Sequence, residues 1–584
     1  VYVVHRAPCS GQDRPPPHEQ CAPYKYPCRV QNSHGMWVDF IPASSNAFHG
    51  YRNSVPAGYM KIVIVGAGVS GLAAAAVLSA THDVTVLEKA PDIGGRCGEW
   101  NVEGFRFDTG ASMLLMPDLF RDFFRSVGES YDELLRPVRA PRGSVVSFED
   151  RTLLSTTDAL LRPIQDTFKG CYDFVAGWAL RNTFEHFTDF FNRRSLHALW
   201  TLSAWKTHLA DIMSKTTDAK IVQALTVEDM YLGAHPAKMS RIVGFIQYTI
   251  ATHGIFYPTT NPLDHLGGMA AIPKTLAWIA TSKGARIHTR TEVSGVLMDE
   301  DRVTGVTTAE GHTYRAEVVL VTSPLENSLH LLDRPSDPYV TDTKSLRVGV
   351  SSVSFYWGVR TDVASIPAHT ICVHGYETQL EELDSGSNSP RPSFYIHVPS
   401  RFDPSMAPEG CSSVCVLVPV HHDRVPDTAR LRTWVLSTIA DRFGLDLDIV
   451  VERVRTPATW HNDFGCASIL GIQITPSQVG WMRPGQVHPR YRGLLFAGAS
   501  TQPGPGVPTA LASGWNACKL IEQSPTVGRT WWKPCARFVV RCLFGAPAPP
   551  VSDHEFVRRI CAKGSKTFYC ASRLYPRDIR HDVF

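Results

Sequence analysis

Uninterrupted apolar runs alternate along this chain with stretches of helical period. Lys61–Val65 reads KIVIV, a β-branched run that predicts a strand covered on both faces. The Ala-rich residues 72–80 follow as a helix, because alanine loses almost no side-chain freedom there. Asp83–Leu87 is a second buried strand. Residues 117–240 read as mostly helical and carry Phe168, Tyr172, Phe187, Phe190, Phe191, Trp200 and Trp205. Such aromatics pack a core or, as a set, line an apolar tunnel or meet a membrane. A helix then runs from the Gly267-Gly268-Met269 turn to Ser282, and strands are predicted at 284–289, 291–298, 302–306 and 318–321. Residues 347–451 hold further strand-like runs, among them 353–357 and 413–420, around a polar loop at 382–392. A late strand at 494–500 ends in small residues, Gly/Pro-rich 502–509 turns the chain, and 510–521 is a helix. Residues 1–59, rich in Pro, His, Ser and Asn, show little periodicity and read as disordered.

Candidate chemistry sits where these elements join. Gly66-Ala67-Gly68-Val69-Ser70-Gly71 lies between the first strand and the first helix. Gly66 permits the tight turn, Gly68 admits a pyrophosphate to the backbone, and Gly71 lets helix and strand pack closely. The helix N-terminus adds amide donors and a partial positive charge. Glu88 follows Gly66 by 22 positions (88 − 66), placed to accept from a ribose hydroxyl. This pattern predicts a dinucleotide site and leaves NAD and FAD open. Gly94-Gly95-Arg96 adds a second backbone approach and a guanidinium suited to a phosphate or a flavin carbonyl. The strand-like GFRFD at 104–108 returns toward the same place.

Composition narrows the picture. At 584 residues the chain accommodates two or more domains. With 19% charged residues and a net charge of +3 it lacks the basic surplus of a nucleic-acid binder. The 14 cysteines are scattered, with no CxxC pair and no Cys/His cluster at zinc spacing. Reduced thiols in an intracellular protein are expected, and no metal. No apolar run reaches about 18 residues, so no transmembrane helix is expected.

GAGVSGLAAAAVL, LEKAPDIGGRC, GFRFDTGAS and LLFAGASTQPGPGVP together resemble the FAD-dependent phytoene desaturases, carotenoid desaturases of the flavin amine oxidase-like group, over about 61–522. PSFYIHVPSRFDPSMAPEG, VLVPV, SFYWGV and MYLGAHP are similar to the eukaryotic, fungal-type branch. The resemblance implies an α/β fold. A Rossmann-like FAD-binding domain, discontinuous over 60–115, 267–330 and 455–525, would carry an inserted sheet-plus-helix substrate domain over 116–266 and 331–454. It implies non-covalent FAD held by Gly66, Ala67, Gly68, Ser70, Gly71, Glu88, Lys89, Gly95, Arg96, Val293, Gly498 and Val507. It also implies desaturation of phytoene, a linear C40 carotene, toward lycopene-type polyenes by hydride transfer to flavin. One dinucleotide motif leaves no NADPH domain, so oxygen or a quinone is the expected electron acceptor. A polyene hydrocarbon substrate implies a protein peripheral to a membrane surface. No acid or base is assigned.

Rival readings on the same fold are an amine or protoporphyrinogen oxidase or a retinol-saturase-like enzyme. A rival of another class is a non-catalytic FAD scaffold. Three departures from the family stand out: Ile250 where Glu is common, additional residues at 259–266, and Gln502 where His is usual. Beyond a linker at 526–550, KGSKTFYCASRLYP resembles the opening of a phytoene or squalene synthase, so 551–584 is read as the truncated start of such a domain.

Overall fold

The computed structural model describes residues 28–31, 37–40 and 58–523, except for short stretches within 186–191, 260–264 and 333–345 and residues 425 and 467. The linker and synthase-like readings lie outside the described residues, as does most of the stretch read as disordered. Within that stretch Cys28–Gln31 and Trp37–Phe40 pair as an antiparallel ladder, with Val30 opposite Val38. Strand-forming residues at those few positions favour pairing despite a polar neighbourhood.

Five parallel strands form the first sheet: β1 (Lys61–Val65), β2 (Asp83–Leu87), β3 (Arg286–His288), β4 (Val318–Val321) and β5 (Leu494–Phe496), in the order β3-β2-β1-β4-β5. Alternate side chains point to opposite faces. Ile62, Ile64, Val84, Val86, Val318 and Leu320 meet helices on one side. Val63, Val65, Leu87, Val319 and Val321 meet the antiparallel meander Val293–Asp299, Arg302–Thr308 and Thr313–Arg315 on the other. Both faces are covered, which is why β1, β4 and β5 at the centre and far side of the sheet carry apolar runs.

Helix α1 (Val69–Leu78) packs against both α2 (Ala271–Ser282) and α3 (Val507–Gln523). Every residue of α1 except Val77 is buried. So crowded a helix needs small side chains. A Cβ at Gly71 would stand 2.1 Å from the Gly66 carbonyl oxygen, and one at Gly514 of α3 would stand 2.1 Å from that of Ser70. The two helices therefore cross at backbone distance.

A second sheet of seven strands runs Ile449–Arg455, Ser351–Val359, Ser412–Val420, Phe394–His397, His369–Cys372, Val145–Ser147, Leu153–Ser155. It is antiparallel except where His369–Cys372 lies parallel to Val145–Ser147. Phe394 and Ile396 face the helix Thr428–Phe443, packing with its Leu431, Val435 and Ile439. Tyr395 faces the opposite side, toward the helix Ala219–Leu232. Val145–Ser147 and Leu153–Ser155 lie inside the region predicted as helical. Three residues are too few to show an alternation, and pairing at the sheet edge decides their conformation. The helix Tyr376–Ser385 likewise extends into the polar loop predicted at 382–392.

Candidate functional site

The glycine turn at the end of β1 forms the floor of the candidate site. Gly66 has φ +105°, and a Cβ there would meet Thr322 Oγ1 at 2.8 Å. Only glycine fits such a turn. Gly68, by contrast, has an ordinary backbone, and no atom lies within 4 Å of where its Cβ would stand. Glycine here leaves room for a ligand rather than for protein. No side chain caps α1, so its first amides point into that space.

The second glycine pair closes on the first. Gly94 N donates to the Ala67 carbonyl at 2.9 Å, and a Cβ on Gly95 would be 3.7 Å from the Gly68 Cα. Arg96 follows, half-buried, with Nη1 3.3 Å from the Ile469 carbonyl. The Glu88 carboxylate accepts from Ala67 N at 2.7 Å and from Ala90 N at 2.9 Å. It thus braces the turn, and two carboxylate oxygens retain lone pairs for a ribose hydroxyl. At the C-terminal end of the chain Gly498 has φ +115°, and its Cβ position is 3.6 Å from Ser70 Oγ. Ser70 Oγ donates to the Ala510 carbonyl at 2.8 Å, tying α1 to the first turn of α3, which begins at Val507.

Ten of the candidate positions therefore converge: Gly66, Ala67, Gly68, Ser70, Gly71, Glu88, Gly95, Arg96, Gly498 and Val507. Lys89 is exposed beside Glu88. Val293 opens the meander and packs in the apolar cluster of Val65 and Leu87, on the other face of the sheet from α1. The open approach at Gly68, the uncapped helix and the braced carboxylate together fit an adenine dinucleotide.

The loop after β5 is held from below. Arg483, 1% exposed, donates through Nε to the Thr501 carbonyl at 2.9 Å and through Nη2 to that of Ala499. The Gln502 amide accepts from Phe184 N at 3.0 Å and donates to Phe184 O at 3.1 Å. That reciprocal pairing explains an amide at this place, since it mimics a backbone ladder. Ile250 is 1% exposed and packs with Ala140 and Ile255, so the position is a core position in this chain.

A buried polar chain that no local motif announces runs from the first half into the second sheet. Asp108 Oδ1 accepts from Met269 N at 2.8 Å, and Oδ2 accepts from the Tyr257 hydroxyl. His397 Nε2 lies 3.5 Å from Asp108 Oδ2. His397 stacks on His369, with ring centroids 4.9 Å apart and planes 6° from parallel. His369 Nδ1 is 2.7 Å from the Tyr395 hydroxyl, which is 3.0 Å from Ser112 Oγ. Burial, reinforced by His397, holds the His369 imidazole well below the ordinary histidine range, and burial raises the Tyr395 phenol. Nearby, burial and then the Asp229 charge push the Glu228 carboxyl up to about 7. The one available sequence signal was the alternation Tyr395, His397 on a strand whose other positions, Phe394 and Ile396, are apolar.

Parallel sheet, glycine turn and braced acid define a dinucleotide-binding fold, and the family match that follows makes the dinucleotide FAD. A family model of flavin-containing amine oxidoreductases matches residues 69–521. The chain is 32% identical over 483 residues to a zeta-carotene-forming phytoene desaturase of Myxococcus xanthus, covering 78% of this chain and 92% of that one. It is 31% identical over 491 residues to a phytoene desaturase of Phycomyces blakesleeanus, covering 77% and 83%. Among solved structures, an oxidoreductase from Methanosarcina mazei superimposes with a TM-score of 0.56 at 17% identity, covering 79% of this chain and all of that one. A cofactor-binding variant of putrescine oxidase gives 0.55 at 14%, covering 80% and 99%. These two likenesses concern the fold alone. The chain belongs to the flavin-containing amine oxidoreductase family and, within it, to the phytoene desaturases.

Proposed function

We propose that the protein desaturates phytoene or a similar linear C40 carotene toward lycopene-type polyenes. The observation that carries this reading is the likeness to phytoene desaturases, which extends beyond the nucleotide-binding half into the second sheet. FAD, held by the glycine turns, supplies the hydride acceptor. The protein's own part is grip and placement. A hydrocarbon offers no charge to hold, so binding rests on apolar burial at about 25 cal/mol per Å². The placing residues are those that join the two halves: Tyr356 Oη and Arg455 Nη1 converge on the Thr109 carbonyl at 3.0 and 2.9 Å. This fixes the second sheet against the segment that follows Asp108. Electrons leave to oxygen or a quinone.

The substrate dissolves in lipid, and the protein works at a membrane surface. No helix among the described residues is long and apolar enough to cross a membrane. Trp200 (74% exposed) and Trp205 (49%) lie with ring centroids 5.1 Å apart and planes tilted by 50°, and Leu196 lies one helical turn before Trp200. Aromatic and aliphatic side chains grouped in this way suit the boundary of headgroups and acyl chains. The test is anaerobic incubation of the FAD-loaded protein with phytoene in liposomes. Flavin bleaching with formation of longer polyenes, separated by chromatography, is the expected result. Bleaching by amines or by a porphyrinogen, with phytoene untouched, would refute the reading.

A further inference from the structure

We propose that Ser112, Tyr395 and His369 form the relay that takes up the proton lost in desaturation, with Asp108 and His397 as positioning residues behind it. This inference rests on the desaturase reading above. Making a double bond from two adjacent saturated carbons removes one hydrogen with both bonding electrons and one as a bare proton. Bound FAD would supply the acceptor for the hydride. The proton leaves, and its bonding pair becomes the new π bond. A cation beside the breaking C–H bond is a very strong acid, so a weak base suffices, provided that it is neutral, dry and aimed.

The buried chain meets those three conditions. Its open end is Ser112, half-buried, one residue beyond Ala111, whose amide donates to the Arg96 carbonyl at 3.2 Å. Ser112 therefore borders the second glycine turn. Its closed end is His369, 1% exposed, whose Nε2 has no hydrogen-bond partner among the described residues. Between them stands Tyr395, 7% exposed, within hydrogen-bond distance of both. With its proton on Nε2, His369 presents the Nδ1 lone pair to the tyrosine hydroxyl. The proton from carbon forms an O–H bond on Ser112 as the Ser112 proton passes to Tyr395 and the Tyr395 proton to His369 Nδ1. Each O–H bond broken is replaced by one formed, and the net gain is one N–H bond on His369. Desolvation keeps His369 neutral at rest. The Asp108 carboxylate, 3.5 Å from His397 Nε2, faces the ring on which His369 stacks and so sets its position. The reverse sequence returns the proton to the half-buried end, resetting the relay.

Tyr395→Phe keeps the ring and removes the hydroxyl; Ser112→Ala breaks the chain at its accessible end, where folding is least at risk. Both variants are expected to keep the wild-type FAD content and a KM for liposome-borne phytoene within about twofold, while kcat falls by about a hundredfold. A structural role alone would not divide kcat from KM in this way. Either variant turning over at the wild-type kcat would overturn the relay. A second arm needs no substrate: nitrogen NMR of histidine-labelled protein should show His369 neutral at pH 7, with an accepting Nδ1 whose shift changes in Tyr395→Phe. An imidazolium there, or no change in the variant, overturns the proposal. Wild-type protein that leaves phytoene untouched would refute the desaturase reading, and the NMR arm would then decide the relay separately.

Discussion

Glycine 68 shows how much one residue without a side chain decides. Its backbone is one that any residue adopts, and its Cβ position is empty of protein. Gly68→Val should therefore fold, with an unchanged far-ultraviolet spectrum, yet purify without the flavin absorbance because the side chain fills the pyrophosphate path. Wild-type flavin content in that variant would show that the cofactor lies elsewhere. Glu228 makes a different point. Ser144 Oγ and Gln247 Nε2 face its carboxyl at 3.4 and 3.1 Å, but burial dominates and raises it from 4.5 to about 7. The folded protein then holds a proton that the unfolded chain releases at lower pH. Stability is expected to fall as pH rises from about 4.5 to about 7, by up to about 3 kcal/mol at 1.4 kcal/mol per pH unit. Glu228→Gln should remove that slope, measured by denaturant unfolding at a series of pH values.

Elements in this protein work through contact distance. Helix α1 is short and poor in large side chains, and its value lies in how closely two neighbours approach it. The crossing with α3 brings the Gly514 Cα against the Ser70 carbonyl, while the Ser70 hydroxyl holds the start of α3. A methyl at Gly514 has only backbone to push against. Gly514→Ala is thus expected to lower unfolding stability by about 1–3 kcal/mol and to weaken FAD retention together, because α1 carries the phosphate-facing amides. A variant as stable as wild type would mean that the helices separate freely. The second sheet shows the same logic through register. His369 and His397 are directly opposite on neighbouring antiparallel strands, and that pairing alone puts their rings in a stack.

For the whole molecule, two sheets serve two tasks. The parallel sheet ends in the glycine turns, and the seven-stranded sheet carries the residues that close the other side, with Thr109 as the joint. The exposed Trp200 and Trp205 lie outside both cores. Replacing both by Ala should reduce flotation with liposomes by at least about tenfold while leaving FAD content unchanged. Undiminished flotation would move the membrane contact to another face.

What the sequence by itself determined is the nucleotide grip. Gly66, Gly68, Gly71 and Glu88 are readable because a phosphate turn is built from consecutive residues, and a buried parallel strand announces itself by its unbroken apolar run. Short strands such as Val145–Ser147 and the edge strand Leu153–Ser155 are not readable in this way, since three residues carry no period and only their partners make them strands. Tertiary structure also decided the meaning of the departures. Ile250 belongs to a core cluster, and Gln502 is a two-way bond to Phe184. The polar chain from Ser112 to Asp108 was out of reach of the sequence, because Asp108 and His397 stand 289 positions apart (397 − 108). No spacing encodes their meeting; sheet register and burial bring them together, and the same burial sets the protonation of His369.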